Sequence, residues 1–143
     1  MLDSFDFPWV RFLGMRITEM SDGRCTAVLD PQDVHLNHNG TINAPVLYGA
    51  AEYAGGAAVT GGLMDLLAGC YIVAKSAHID YVAPARGAVT ATGVVDPQAF
   101  AAARTEVQAG QPVELTAGVE IADSQGRVAV KVALVMAIRP RRA

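Results

Sequence analysis

Between Val113 and Ile121 the chain alternates without a break. Val113, Leu115, Ala117, Val119 and Ile121 are apolar, and Glu114, Thr116, Gly118 and Glu120 lie between them. A period of two puts one set on each face, which predicts a half-buried strand. The turn-forming run Ser124-Gln125-Gly126-Arg127 follows. Val128, Val130, Val132, Leu134, Met136 and Ile138 then mark the inward face of a second strand, and the two predict a hairpin. Met15 to Leu29 predicts another strand pair, broken at Ser21-Asp22-Gly23 and ended by Asp30-Pro31, because a residue before proline is pushed away from helical geometry. Tyr71 to Val82 and Ala88 to Val95 also read as strands, joined through Pro84-Ala85-Arg86-Gly87.

Two stretches read as helices. Asn43-Ala44-Pro45 is a helix start, with asparagine in the capping position and proline in the first turn. This helix is expected to run to about Gly61 or Leu67. Its middle (Gly49, Ala50, Ala51, Ala54, Gly55, Gly56, Ala57, Ala58) costs roughly 1 kcal/mol per glycine relative to alanine, so close packing against other backbone must compensate. From Asp96 to Ala109, Asp96 caps and Pro97 opens a second, shorter helix. The opening stretch Leu2 to Leu13 fits either a short helix or an irregular aromatic flap. A long helix of small residues followed by about four antiparallel strands is an α+β arrangement. Covering a helix that is apolar or small on nearly every face requires the sheet to curl. With 143 residues, no repeat and no linker, one domain spanning 1–143 is expected.

Composition narrows the function. Only 17% of residues are charged, the net charge is −3 and basic residues are scattered, so nucleic-acid binding has little support. The run Arg139-Pro140-Arg141-Arg142 reads as solvated charge, with a phosphate-rich ligand as the alternative. The longest relevant uncharged run, Tyr53 to Met64, is well short of the ~20 residues of a membrane span. Asp3 and Asp6 precede no basic-then-apolar leader pattern. Cys25 and Cys70 stand outside any metal or redox motif and read as free thiols. A cytoplasmic protein is expected.

The segment His35 to Gly56 carries the candidate chemistry. Glu52 is a lone carboxylate in a helix built for burial, where desolvation costs several kcal/mol unless it is paired or borders a wet cleft. The alternatives are a solvent-facing position or an ion pair with Lys75. Free N–H groups at the helix start favour developing negative charge, and with Pro45 lacking one, Ala44 is the expected donor to an oxyanion. Asn43 and Glu52 are about 13 Å apart along a helix at 1.5 Å per residue. If both act on one carbonyl, they must come from two subunits, and the chemistry requires a homodimer. His35, His38 and His78 form no metal set and, in loops, are expected to be solvated; no metal and no cofactor are expected. A G-x-S-x-G elbow, GxGxxG and a P-loop lysine are absent, so Gly55-Gly56 and Gly61-Gly62 read as packing contacts. Tyr81 and Ile79 read as core before ligand contacts, Arg86 as facing water or holding a phosphate, and Lys75 as a site residue or the partner of Glu52.

"NHNGTINAPVLYGAAEYAGG" resembles the signature of hotdog-fold acyl-CoA thioesterases of the PaaI-like type, in which an Asn and a Gly precede His-Gly-Gly and an acidic residue on the central helix. Asn37 and Gly40 match, and Glu52 stands at the spacing of the catalytic acid. "KSAHIDYVAPARG", the helical stretch near Pro97 and the final strand pair are similar to the DUF4442 subgroup. The resemblance spans roughly Met15 to Arg139. It implies a hotdog fold, a long central helix wrapped by a curved antiparallel sheet of five or six strands, in dimers that often pair into tetramers. It further implies acyl-CoA as substrate and an active site at the dimer interface. Carried over, Ala44 supplies the backbone N–H and Glu52 the carboxylate, as general base or nucleophile, while Asn37 and Gly40 shape the pocket. Asn43 replaces the family His and can donate a hydrogen bond but not shuttle a proton. Ala44-Pro45 replace the Gly-Gly, and Ala74 stands near the Ser or Thr that orients water in some members. The rival reading is a hotdog protein that binds acyl-CoA or a related lipid without hydrolysis. A purely structural oligomer leaves Glu52 unexplained.

Overall fold

The computed structural model describes residues 5–142. Six strands form one antiparallel sheet in the order β1-β2-β4-β5-β6-β3, with β1 Met15–Ser21, β2 Arg24–Leu29, β3 Cys70–Tyr81, β4 Val89–Val95, β5 Val113–Asp123 and β6 Val128–Pro140. Helix α1 is Pro8–Leu13, α2 is Ala44–Thr60 and α3 is Pro97–Gln108. α2 packs against all six strands.

Why the helix of small residues is stable follows from how close the sheet comes. At Gly93 of β4 a Cβ would lie 2.7 Å from the Ala54 carbonyl oxygen, so strand and helix backbones are in direct contact. At Gly55 a Cβ would lie 2.9 Å from Leu134 Cδ2 and 3.0 Å from Val119 Cγ2. Ala50, Ala51, Ala54, Ala58 and Val59 are buried beside them. The glycines thus permit an approach whose dispersion and burial offset their helix-propensity cost. The helix runs to Thr60 and tightens into a 3-10 turn over Gly61–Leu66, so both expected end points have a structural counterpart.

The β5–β6 hairpin forms as its alternation predicts, with Leu115, Ala117, Val119, Ile121, Val130, Leu134 and Ile138 buried. Asp96 caps α3 by accepting the Ala99 N–H at 2.9 Å. Asn43 differs. Its backbone occupies the capping position, but its side chain makes no capping bond; instead its carbonyl accepts the N–H groups of Val46 and Leu47 at 3.0 and 3.1 Å. The opening stretch resolves into the helix α1 from Pro8, with Phe7, Trp9 and Phe12 exposed and Val10 and Leu13 buried; Leu2 to Ser4 lie outside the described residues.

β3 and β4 are consecutive in sequence yet not neighbours. β3 crosses to the far edge, where among the described residues it pairs only with β6 and leaves its other side unpaired. A bulge between Ala74 and Ser76 shifts its register there.

Candidate functional site

The loop before α2 is organised by one side chain. Asn37 Oδ1 accepts the N–H groups of Asn39 and Thr41 at 2.9 and 3.1 Å, and its Nδ2 donates to Thr41 Oγ1 at 2.7 Å. An asparagine that closes a turn in this way mimics backbone. Gly40 takes the left-handed conformation (φ 73°) that the turn demands. Arg86 Nη1 reaches the carbonyls of Asn39 and Gly40, 3.4 Å from each, and the Ile42 N–H donates to Ala85 at 2.9 Å. The loop therefore delivers the chain to Ala44 in a fixed direction.

At the helix start Ala44 is exposed. Pro45 has no N–H, and those of Val46 and Leu47 are taken by Asn43, so Ala44 offers the first-turn N–H that no described residue accepts. A cavity of about 340 Å³ opens here, bordered by Asn37, Thr41, Ala44, Leu47 and Tyr81. Tyr81 is half exposed, not core as its strand position suggested, and its hydroxyl donates to the Ala44 carbonyl at 3.3 Å.

Glu52 lies two turns further along α2, in a different cavity of about 290 Å³ bordered by Phe5, Phe7, Tyr53, Gly56, Thr60, Ile72 and Met136. It is half-buried and has no ion pair or hydrogen bond to its carboxylate among the described residues. Burial pushes its carboxyl pKa up from the ordinary 4.5. Phe7 meets Tyr53 edge-on at 6.4 Å, and the Tyr53 hydroxyl donates to the Phe5 carbonyl at 2.8 Å, which holds the aromatic segment against the helix beside the carboxylate.

Lys75 is not the partner of Glu52. Alternation along β3, with Ile72 and Ala74 opposite the buried Ile138 and Met136, puts it on the outer face of the sheet, where it pairs with Glu114 and holds that carboxyl below its ordinary range. Ala74 stands opposite Met136. His35 also departs from expectation: it is buried, with Nδ1 accepting the Gln32 N–H at 2.9 Å and Nε2 donating to the Phe12 carbonyl at 2.6 Å. It is a clamp between the loop and α1. Among the described residues no group of three His, Cys, Asp or Glu side chains is placed to hold a metal ion.

Of the expected site residues, then, Asn37, Gly40, Ala44, Tyr81 and Arg86 gather at the helix start, with Asn43 exposed at its margin; Glu52 stands apart, and Lys75 lies on the opposite face. The surroundings of Glu52 escaped the sequence reading. Tyr48, Glu52, Gly56 and Thr60 are all partly exposed on a helix otherwise buried from Val46 onward, and their four-residue spacing was the signal for them.

A long helix wrapped by six antiparallel strands in this order is the hotdog fold. The chain belongs to the family described as domain of unknown function DUF4442, whose model matches residues 2–138. Similar solved structures include a Pseudomonas aeruginosa protein of unknown function described as a probable thioesterase (22% identity, 93% of this chain and 87% of that chain, TM-score 0.80). The E. coli PaaI protein from the phenylacetic acid degradation operon is 19% identical over 99% of this chain and 88% of its own, with a TM-score of 0.75. A point variant of the phenylacetic acid degradation protein PaaI from Thermus thermophilus is 21% identical over 93% of this chain and 99% of its own, with a TM-score of 0.69. The curated proteins contain no match. Among the described residues no helix is long and apolar enough to cross a membrane.

Proposed function

We propose that the protein is a cytoplasmic acyl-CoA thioesterase whose active site is shared between two copies of the chain. The observation that carries this reading is Glu52: a half-buried carboxylate without a partner among the described residues, facing a cavity, with its pKa raised by burial. In one protomer the Ala44 N–H and Glu52 border separate cavities, about 12 Å apart along the helix, so each needs a second copy to complete it. The open edge of β3, with exposed Tyr71, Val73 and Tyr81, supplies unpaired backbone groups along which a second copy extends the sheet. Such dimers can pair again into tetramers.

In this arrangement the thioester carbonyl oxygen accepts the Ala44 N–H of one copy, which stabilises the negative charge that builds there. Glu52 of the other copy takes a proton from water as the oxygen attacks the carbonyl carbon; the tetrahedral intermediate collapses, the C–S bond breaks and the thiolate recovers the proton. Direct attack by the carboxylate, through an anhydride that water opens, uses the same geometry. Asn37 and Gly40 shape the loop, and Tyr81 steadies the first helical turn through the Ala44 carbonyl.

Thiol release from a panel of acyl-CoAs tests the proposal. Glu52→Gln is expected to lower the rate by about 10²–10⁴-fold, the usual worth of a positioned general base. Release unaffected by the substitution overturns the mechanism. Binding of acyl-CoA by the wild type with no release favours the second reading, a protein that holds acyl-CoA or a related lipid without hydrolysis, for which the proton-inert Asn43 at the helix start is the supporting feature.

A further inference from the structure

His35 takes no part in the reaction written above, yet three bonds converge on it. Its Nδ1 accepts the Gln32 N–H at 2.9 Å and its Nε2 donates to the Phe12 carbonyl at 2.6 Å, while its own backbone carbonyl accepts the Asn43 N–H at 2.9 Å. The Phe12 carbonyl lies in the last turn of α1, where a helix offers its carbonyls no further N–H, and the ring supplies the donor. Asn43 immediately precedes Ala44. One residue thus joins the C-terminal end of α1 to the first turn of α2.

What α1 carries makes this joint matter. Phe5 and Phe7, just before it, border the Glu52 cavity, and the Tyr53 hydroxyl fixes the near end of the segment at the Phe5 carbonyl. His35 holds the far end. Between the two anchors Trp9 stacks on Phe12, with ring centroids 5.7 Å apart, and rests on α2 at Gly49, where a Cβ would lie 3.1 Å from Trp9 Cζ2.

The same bonds fix the charge of the ring. A backbone N–H can only donate and a carbonyl can only accept, so the imidazole is neutral with its proton on Nε2. A second proton would sit on Nδ1 and face the Gln32 N–H, donor against donor. His35 is 1% exposed, and no charged side chain among the described residues bonds its ring. Asp6 and Arg11, paired with each other, Arg16 of β1, and Asp30, Asp33 and His38 of the loop are all exposed; α2 brings only Tyr48 before Glu52. We infer that neutral His35 is a positioning residue, locking the aromatic wall of the Glu52 cavity to the segment that presents Ala44, and that protonation of the ring releases the lock. Its bearing on catalysis rests on the thioesterase reading; the lock itself does not.

Trp9, the chain's single tryptophan, is the reporter. In the full-length wild type its emission is expected to move to longer wavelength as pH falls from about 8 to about 5.5, the range in which an imidazole ordinarily charges. His35→Gln, whose amide can still donate to the Phe12 carbonyl but takes no proton, is expected to abolish the shift. His38→Gln and Glu52→Gln are expected to keep it, which separates the lock from the loop histidine and from the carboxylate. In the hydrolysis assay at about pH 8, His35→Leu is expected to lower kcat on the order of 10-fold or more, as small displacements of positioned groups do, and His35→Gln to recover most of that loss. Emission unchanged with pH in the wild type, a shift that persists in His35→Gln, or a folded His35→Leu with wild-type emission and kcat overturns the inference. Should His35→Leu not fold, the wild type and His35→Gln decide it between them. An emission shift without thiol release sustains the lock while removing the thioesterase reading; thiol release with unchanging emission does the reverse.

Discussion

Helix α2 carries two neighbouring glycines that serve opposite ends. Gly55 faces the sheet, where even a methyl group would press on Leu134 and Val119; Gly56 faces the Glu52 cavity, where a Cβ would meet only Met136 Cε at an ordinary 3.7 Å. The first is small because the fold leaves no room. The second is small where room exists. One face of the helix is thus a close-packed solid and the other an open stripe of Tyr48, Glu52, Gly56 and Thr60, and only the open stripe can host chemistry. Smallness in the sequence is therefore two different messages, separable only by what stands opposite.

The sharpest way to break this contrast is Gly93→Ala, on the strand that touches the closed face. Its methyl would be forced against the backbone of Ala54, which cannot swing aside, and a loss of about 3 kcal/mol in urea unfolding is expected. A change within a few tenths of a kcal/mol would mean that helix and sheet are not in tight contact. Gly55→Ala meets side-chain ends that can yield, and its overpacking is partly offset by better helix propensity; a net loss of about 1 kcal/mol is expected. Gly56→Ala takes the same gain in propensity with no clash, so stability should rise by about 0.5 kcal/mol. If the two neighbours shift the melting temperature in the same direction, the two-faced description fails.

The smallest effect tests the open face itself. Burial raises the Glu52 pKa, so the folded state holds a proton that the unfolded chain has already released. The sign follows: wild-type stability should fall as pH rises from about 4.5 through the folded pKa, and Glu52→Gln should remove that component. Melting curves of both proteins across the acidic range measure it. Parallel curves would place the carboxylate in full contact with water.

Much of this architecture can be read before any coordinates. Strict alternation defined β5 and β6, Asp96-Pro97 opened α3, and Asn43-Ala44-Pro45 marked the start of α2 because local geometry leaves few alternatives. Glu52 stood out for the same reason, as a charge among small apolar neighbours. What escaped depends on distant parts of the chain. The partner of Lys75 is a glutamate 39 positions away on β5, which the fold brings within reach across the intervening β6. His35 is buried only because α1 folds back over it, and β3 lies beside β6 instead of β4 because the chain crosses the whole sheet between them. The wall around Glu52 joins residues from the N-terminal segment, α2, β3 and β6, and no single window of sequence contains it.

Asn37 has one more consequence. Its amide is already spent on Asn39 and Thr41, and Arg86 ties the same turn from outside, so the approach to α2 has surrendered its conformational entropy during folding. A guest arriving there encounters a rigid lip and loses little affinity to ordering it. Amide hydrogen exchange at Asn39 and Thr41 should accordingly be as slow without a guest as with one.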